Sequence, residues 1–574
     1  MRLSRVVYLY ALGSTPYPSP VVAVTPRDIS PTCRYLPGDS QWPSDEQWSR
    51  LNSTVGGRLI RGVPMAQPCY GPNSDPTTCA QIQDNWSNKT IISENPFTPM
   101  SVYWQNNTCS PFGADTNGTC EMGNLASYAI NVSDASTVAA GILFAKENNI
   151  RLTIKNTGHD FLGRSVGTGS LGLWTHNLKE ITFYNYSSPA YNGPAVKAGS
   201  GALGSELYHA AREHGLRVTG GHCPTVGLSG GWISGGGHGP LASAYGLGAD
   251  NTLEFEVVTA DGQHVTATST NEYSDLFWAL SGGGVGNFAV ALSVTFKAHA
   301  DGPVAGATFS FPNTHSDGFY SAVAAWMRNQ LNIFDKIPGF KTISLITNSA
   351  FTLQSVAWPG ATEAELIGAL TPFYEDLKAL DVQLTTNETI VSPTFEDHYN
   401  YFTKDLAMNT TCGNRLIPRS FVERNATELV DQIRTMMSEN EHMLVTLLGV
   451  NVTHARVGNE AGSNAVLPAW RDTLFNMNFG IGTPEDASWD LLRSNQAKTN
   501  QFQSRMRELT PTSGSYLNEA VYDDVNWKSD YYGANYEKLL AIKKKYDPDN
   551  VFWASVAVGS DAYSSQDGRL CRNE

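Results

Sequence analysis

Between Gly220 and Gly248 the chain carries glycine at a density that few folds can use. The stretch opens with Gly220-Gly221-His222-Cys223-Pro224-Thr225-Val226-Gly227 and continues through Ser234-Gly235-Gly236-Gly237-His238-Gly239. Glycine tolerates φ > 0 and leaves backbone N–H groups unobstructed, so a loop of this kind can wrap a pyrophosphate or lie flat against a ring system. A bulky cofactor is the expectation, against the plainer reading of tight turns in an all-β protein. The spacing matches neither the Rossmann G-x-G-x-x-G nor the G-K-[ST] of a nucleoside triphosphate site.

Around this stretch the chain reads as α+β. A strand at 128–132, N-cap candidates Ser133 and Asp134, apolar Val138, Ile142 and Ala145 at helical spacing, and a strand at 150–154 form one unit, ending in the turn Asn156-Thr157-Gly158-His159. A second unit has a strand at 195–198, the Gly199-Ser200-Gly201 turn, a helix through Leu207 and Ala211, and a strand at 216–219. Asp261-Gly262 marks a hairpin between 254–260 and 263–268, and 288–297 reads as a buried strand. These elements place one domain at 121–300. Residues 301–520 mix amphipathic segments (321–331, 363–377) with apolar strands such as 351–358, as expected for a substrate domain of helices packed on an antiparallel sheet. Residues 1–120 read as an extended arm pinned by disulfides, and 521–574 as a tail with a helix at 536–545 and an apolar strand at 551–558.

The formal net charge of −15 and the lack of a long Lys/Arg run argue against a nucleic-acid partner. No stretch approaches the length of a membrane-spanning helix, and no metal site is expected. Arg2 and Arg5 before a short apolar run at 6–12 give only a poor export signal. Sequons at Asn52, Asn85, Asn88, Asn106, Asn117, Asn131, Asn185, Asn387, Asn409, Asn425 and Asn451 favour a secreted glycoprotein. Cys69 with Cys79 and Cys109 with Cys120 are spaced to close small rings, as an oxidising compartment allows, while the pairing of Cys33, Cys412 and Cys571 stays open.

The motif set resembles one family. Asn156-Thr157-Gly158-His159-Asp160-Phe161-Leu162-Gly163-Arg164-Ser165, the Gly220 to Gly227 segment, Gly235-Gly236-Gly237 with Tyr245 to Asp250, Leu280 to Gly284, and Tyr546-Asp547-Pro548 with Val551-Phe552 are similar to berberine-bridge-enzyme-like flavoproteins of the vanillyl-alcohol-oxidase superfamily, fungal type. The likeness runs from Asn52 to the C-terminus. It implies a PCMH-type FAD-binding domain of two α/β subdomains at 121–300, a substrate domain at 301–520, and a berberine-bridge-like segment at 521–574 returning to the FAD domain.

The resemblance also implies FAD bonded twice, to His159 through the flavin 8α carbon and to Cys223 through C6. Imidazole and thiolate are nucleophiles suited to an electron-poor isoalloxazine, and two tethers raise its potential and keep the ring open to a large substrate. Asn156, Thr157, Gly158, Asp160, Ser165, Gly227, Gly230, Gly235, Gly236 and Gly237 are expected around the cofactor, with Gly201 and Gly248 nearby, Val226 at an oxygen-access position and Asn518 beside the pyrimidine. Asp250 reads as structural. Asn476 and Asn478 take the place of polar residues that face the flavin in relatives, Asn478 standing where others carry Gln or Glu. The base is expected among His238, Tyr516 and Glu519; His238 departs from the tyrosine common in relatives.

The expected activity is a secreted, monomeric oxidase that moves hydride from the CH–OH of an alcohol or carbohydrate to FAD, with O2 as acceptor and H2O2 as product. Two alternatives are a secondary-metabolite flavoprotein acting at a C–N or C–C centre, and a non-catalytic binding protein that retains the fold.

Overall fold

Asp134 accepts a hydrogen bond from the Thr137 amide and so caps the helix Ala135–Glu147, whose buried face carries Val138, Ile142 and Ala145. Strands Tyr128–Asn131 and Leu152–Lys155 flank this helix in the chain, and both pair in parallel with Leu171–Trp174, which lies between them. In this computed structural model the described residues are 32–72, 74–105, 108–112, 119–284, 286–403, 410–566 and 568–573. The apolar run at 6–12 and the sequons at Asn106, Asn117 and Asn409 lie outside them.

The second sheet is built on one long strand, Val290–Ala300, which pairs antiparallel with Asn192–Gly199, Thr252–Val258 and the short Leu216–Val218. Asp261-Gly262 makes the expected hairpin, with Gly262 at φ +83° and Thr252–Val258 paired to His264–Thr268. A third, seven-stranded antiparallel sheet runs Thr386–Ser392, Val304–Pro312, Ala350–Pro359, Lys341–Ile346, Met443–Gly449, Thr473–Gly482, Thr410–Pro418. Side chains alternate across it. Val445, Leu447, Phe475, Met477 and Ile481 enter a core shared with the helices Ser316–Lys336, Glu363–Ala379, Arg419–Glu439 and Trp489–Leu509. The intervening Leu444, Thr446, Leu448, Asn478 and Gly480 face the other way, onto a cavity. The fold is α+β, as the sequence suggested.

Two local expectations fail. Residues 32–105 are less extended than their Pro- and Asn-rich composition implies: Ser44, Asp75 and Asn88 cap the helices Asp45–Thr54, Pro76–Asp84 and Lys89–Ser93, and Leu59–Arg61 adds an edge strand to the first sheet. At 551–558 there is no strand; the segment turns, with Val556 at φ +47°. Its apolar residues are buried by tertiary packing, Val551 and Phe552 against the first sheet and Val556 and Val558 against the second. Lys543 organises this turn, donating to Asp547 Oδ2 (2.6 Å), the Asn287 carbonyl (2.7 Å) and the Phe552 carbonyl (2.9 Å).

The disulfides are Cys69–Cys79, Cys109–Cys120 and Cys33–Cys571, the last joining the two ends of the described chain beside the hairpin Tyr563–Gln566/Arg569–Arg572. Cys223 and Cys412 are not joined in a disulfide. One sequon is structural: Asn451 is buried and its amide donates to the Phe334 carbonyl at 3.0 Å, so it is closed to a glycan in the folded chain.

Candidate active site

A cavity of about 350 Å³ separates the glycine-rich segments from the seven-stranded sheet. On one side the strand Leu152–Lys155 ends in the Asn156 turn, and Gly158 adopts φ +91°, a conformation that only glycine takes without strain. The turn is closed by Asp160, whose carboxylate accepts from the Ser165 amide and hydroxyl (both 2.7 Å) and from the Leu162 amide (3.1 Å). His159 Nε2 lies 2.7 Å from the Thr225 hydroxyl, two residues beyond Cys223. That contact joins the two turns, so His159 and Cys223 both line the cavity. Burial, with Lys89 and Lys155 adding repulsion, lowers the His159 imidazole to about 3 and keeps it neutral.

The opposite wall carries the three candidates for the base. Asn414 clamps Tyr516 from both sides, its side-chain oxygen accepting from the Tyr516 amide (2.7 Å) and its Nδ2 donating to the Tyr516 carbonyl (2.9 Å). The 3-10 turn Leu517–Glu519 then delivers Glu519 to the sheet. Its Oε1 lies 2.9 Å from His238 Nε2, and its Oε2 accepts from Asn476 (3.0 Å) and Asn478 (2.9 Å). Burial pushes the Glu519 carboxyl up, but His238 and the amide hydrogen bonds outweigh it and hold the group below its ordinary value. Glu519 is a carboxylate with a fixed orientation.

Tyr516 is the candidate that this geometry removes from the role of base. Burial and the Glu519 charge raise its phenol well above the ordinary value, and its hydroxyl already accepts from Asn518 Nδ2 at 2.7 Å. It remains a protonated phenol, 4.9 Å from the His238 ring in an edge contact.

The glycines divide by what a side chain would meet. Gly227 and Gly230 line the cavity with Asn156, Thr157, Gly158, Asp160, Ser165, Val226, Asn478 and Asn518. A Cβ on Gly230 would find only the Asn156 amide at 3.9 Å, so this residue turns bare backbone toward the space. Gly235, Gly236 and Gly237 do not line it, against expectation. A Cβ on Gly235 would strike the Asn518 side chain and one on Gly237 the Trp232 ring, while the Gly236 and Gly237 carbonyls accept from Ala249 and Gly248. Small size at Gly235 and Gly237 serves close packing behind the wall, whereas Gly236 is held to glycine by its φ of +112°. Gly201 and Gly248 are also close-packed, pressed against the His176 carbonyl and Trp232. Asn476 touches Glu519 and His238 from behind the lining.

Several groups escaped the sequence reading. Thr225 and His222 lie inside the quoted motif yet were given no role; His222 lines the cavity beside Cys223, and burial lowers its imidazole well below the ordinary value. Lys341 is buried on the sheet, drawn down to about 7 by desolvation and back up by Glu519. Cys412 is a cavity-lining thiol that burial raises to about 11. Lys341 and Cys412 stand in no motif whose spacing could have announced them.

The wall chemistry fits FAD. Asn156 Oδ1, His222 Nε2, His238 Nδ1 and Asn478 Oδ1 are buried polar atoms without a hydrogen-bond partner in the protein, spread over the cavity's two sides. With the bare backbone of Gly230, they supply the donors and acceptors that a flavin edge and its ribityl chain require.

Two family profiles match the chain, "FAD binding domain" over residues 126–268 and "Berberine and berberine like" over 515–559. The FAD-linked oxidoreductase ZEB1 of Gibberella zeae is 38% identical with full coverage of both chains. This chain is a berberine-like FAD-linked oxidoreductase of the VAO type. The bifunctional decalin synthase calF of Penicillium decumbens is also 38% identical, over 96% of this oxidoreductase and 98% of the relative. Its fold superposes on the VAO-type flavoprotein MtVAO615 from Myceliophthora thermophila C1 with a TM-score of 0.88 at 38% identity, covering 94% of this chain and 100% of the other. No helix among the described residues is long and apolar enough to cross a membrane.

Proposed function

We propose that this oxidoreductase is a secreted oxidase that holds FAD covalently at His159 and Cys223 and oxidises the CH–OH group of a small, largely apolar alcohol, with O2 as acceptor and H2O2 as product. The observation that carries the reading is the Glu519 carboxylate, bonded to His238, Asn476 and Asn478 at the cavity wall opposite the two attachment residues. Bound FAD supplies the hydride acceptor and the route by which two electrons reach dioxygen.

The chain's own residues do the rest. Glu519 takes the hydroxyl proton from the substrate, and His238, on its Oε1, shares the proton and fixes the carboxylate's aim. Asn476 and Asn478 hold Oε2 as donors and cannot act as bases themselves. Asn156 and the turns that carry His159 and Cys223 hold the cofactor. Val226, at the cavity beside Cys223, leaves a path for O2. Ile343, Leu444, Leu448, Tyr399 and Phe402 give the substrate side an apolar surface, which favours a compact alcohol over an oligosaccharide. The three disulfides and the exposed sequons at Asn88, Asn185 and Asn387 support export through an oxidising compartment.

The test is to mix the protein anaerobically with a panel of benzylic, allylic and sugar alcohols, watch for loss of flavin absorbance, then admit air and count peroxide. Bleaching by the apolar alcohols with one peroxide per product supports the reading. Bleaching by oligosaccharides alone would overturn the substrate class.

A second reading, oxidation of a specialised metabolite at a C–N or C–C centre, is favoured by the relative named decalin synthase, which at 38% is as identical to this chain as ZEB1. Its signature is a cyclised product in place of an aldehyde or ketone.

A further inference from the structure

The strands of the seven-stranded sheet carry glycine at 306, 413, 449, 480 and 482, and of these Gly480 lines the cavity. Glycine inside a strand loses backbone entropy and buries no side chain, so the position weakens the strand unless its bareness is used. Packing uses it at three of the other sites. A Cβ on Gly306 would strike the Phe402 and His398 rings, one on Gly413 the Phe479 ring, and one on Gly449 the Thr342 hydroxyl and the Phe334 ring.

Gly480 has no such reason. Its φ is not positive, so its conformation is open to any residue. The register runs unbroken through it on both sides, opposite Cys412 on one neighbouring strand and Leu444 on the other, so it marks no bulge. A Cβ there would meet Cys412 Sγ at 3.2 Å, the end of a rotatable side chain, and next the Thr410 Cβ and the Thr411 carbonyl at 3.5 Å. A methyl group therefore fits after a shift of a few tenths of an ångström. With bulge, strain and packing set aside, the remaining use of a bare strand position is the close approach of a ligand.

The surroundings say which part of a ligand. Cys412, Gly480 and Leu444 form one rung across three strands, and all three line the cavity. The adjoining rung on the same face is Asn414, Asn478 and Thr446, and Asn478 donates to Glu519 Oε2 at 2.9 Å. Two residues along a strand span about 7 Å. The bare position is thus about one rung from the amide that holds the carboxylate, between an aliphatic side chain and a thiol. That thiol also borders a small second cavity lined by Trp104, Phe161 and Tyr522.

We propose that Gly480 is a specificity-determining residue: its missing side chain opens a slot between Cys412 and Leu444 that seats an apolar arm of the substrate one rung from Glu519. This deepens the alcohol-oxidase reading and rests on it. The class selected is an alcohol whose apolar group reaches about 7 Å from the reacting carbon, such as an arylallylic alcohol, in preference to a short allylic one. The walls of the slot stand on strands two spacings apart, about 9.5 Å, which leaves room for one ring between their side chains. A sugar ring placed there would set hydroxyls against Leu444 without hydrogen-bond partners.

The experiment uses the flavin-loaded full chain as wild type, Gly480→Val and Gly480→Ala. Anaerobic rapid mixing gives the second-order rate constant of flavin reduction for cinnamyl alcohol and for allyl alcohol, and the quantity read is their ratio. Wild type is expected to favour cinnamyl alcohol. The ratio should fall about 10- to 100-fold in Gly480→Val, the cost of leaving a ring unseated, and about fourfold in Gly480→Ala, the worth of one methyl group. An unchanged ratio in both variants would overturn the proposal, including the case in which both rates fall together, since that marks a structural role. A wild type that favours allyl alcohol would overturn it too. If Gly480→Val does not fold, Gly480→Ala decides by the same ratio. Reduction of the wild type by no alcohol at all would contradict the CH–OH reading itself, and the slot is then decided by binding, with cinnamyl alcohol titrated against the visible spectrum of the flavin. A spectral change in wild type whose midpoint rises about tenfold in Gly480→Val supports the slot, whereas equal midpoints or no change in wild type would overturn it.

Discussion

Replacing Glu519 by glutamine is expected to slow anaerobic flavin reduction by the proposed alcohol substrate about 10²- to 10⁴-fold, the usual worth of a positioned general base. The amide keeps the size of the side chain and can still meet His238, Asn476 and Asn478, so flavin content and thermal stability should change little. The pH profile carries the sign. Because Glu519 is held below the ordinary carboxylate range, its basic form is already complete at mildly acidic pH, and wild-type reduction should fall only as pH drops through that lowered value. Stopped-flow absorbance of the flavin measures both effects. A Glu519→Gln variant that reduces at the wild-type rate would move the base elsewhere. Tyr516→Phe should have a much smaller effect, because its phenol is protonated at any working pH.

Asp250→Ala is expected to cost about 3–5 kcal/mol of unfolding free energy, the range found when one partner of a buried ion pair is removed. The Asp250 side chain is fully buried and accepts five hydrogen bonds: from Arg471 Nη1 (3.0 Å) and Nη2 (2.7 Å), Asn459 (2.8 Å), Asn464 (2.7 Å) and the Leu247 amide (2.9 Å). It therefore ties the end of the glycine-rich segment to residues 459–471, which lead into the strand Thr473–Gly482 bearing Asn476 and Asn478. The alanine leaves Arg471 charged, mostly buried and without its counter-ion. Urea unfolding followed by tryptophan fluorescence and by flavin fluorescence should shift together, whereas an unchanged midpoint would mean that this tie is dispensable.

What the sequence made legible follows from how each feature is encoded. His159 and Cys223 sit in contiguous motifs whose glycines are needed in the same loop, so residue type and neighbours carried the reading. Asp250 was read as structural because it ends a turn, and its bonds to Leu247 and Arg471 agree. The base was left among three residues because the choice depends on contacts between distant segments: Glu519 gains its orientation from Asn476 and Asn478, some forty residues away in the chain. Lys155 and Lys341 were invisible for the same reason, since a lysine in a strand reads as solvent-facing until the fold covers it. The 551–558 strand failed because apolar composition reports burial, and here burial comes from packing against two other sheets without strand pairing. The Cys33–Cys571 bridge spans 538 residues and has no local spacing to read.

The most direct measurement is to precipitate the purified protein in acid, recover the yellow chromophore, and map it by peptide mass. A single flavin joining the peptides that contain His159 and Cys223 is the expected result. A flavin that washes freely into the acid supernatant would contradict the covalent site built here from those two turns.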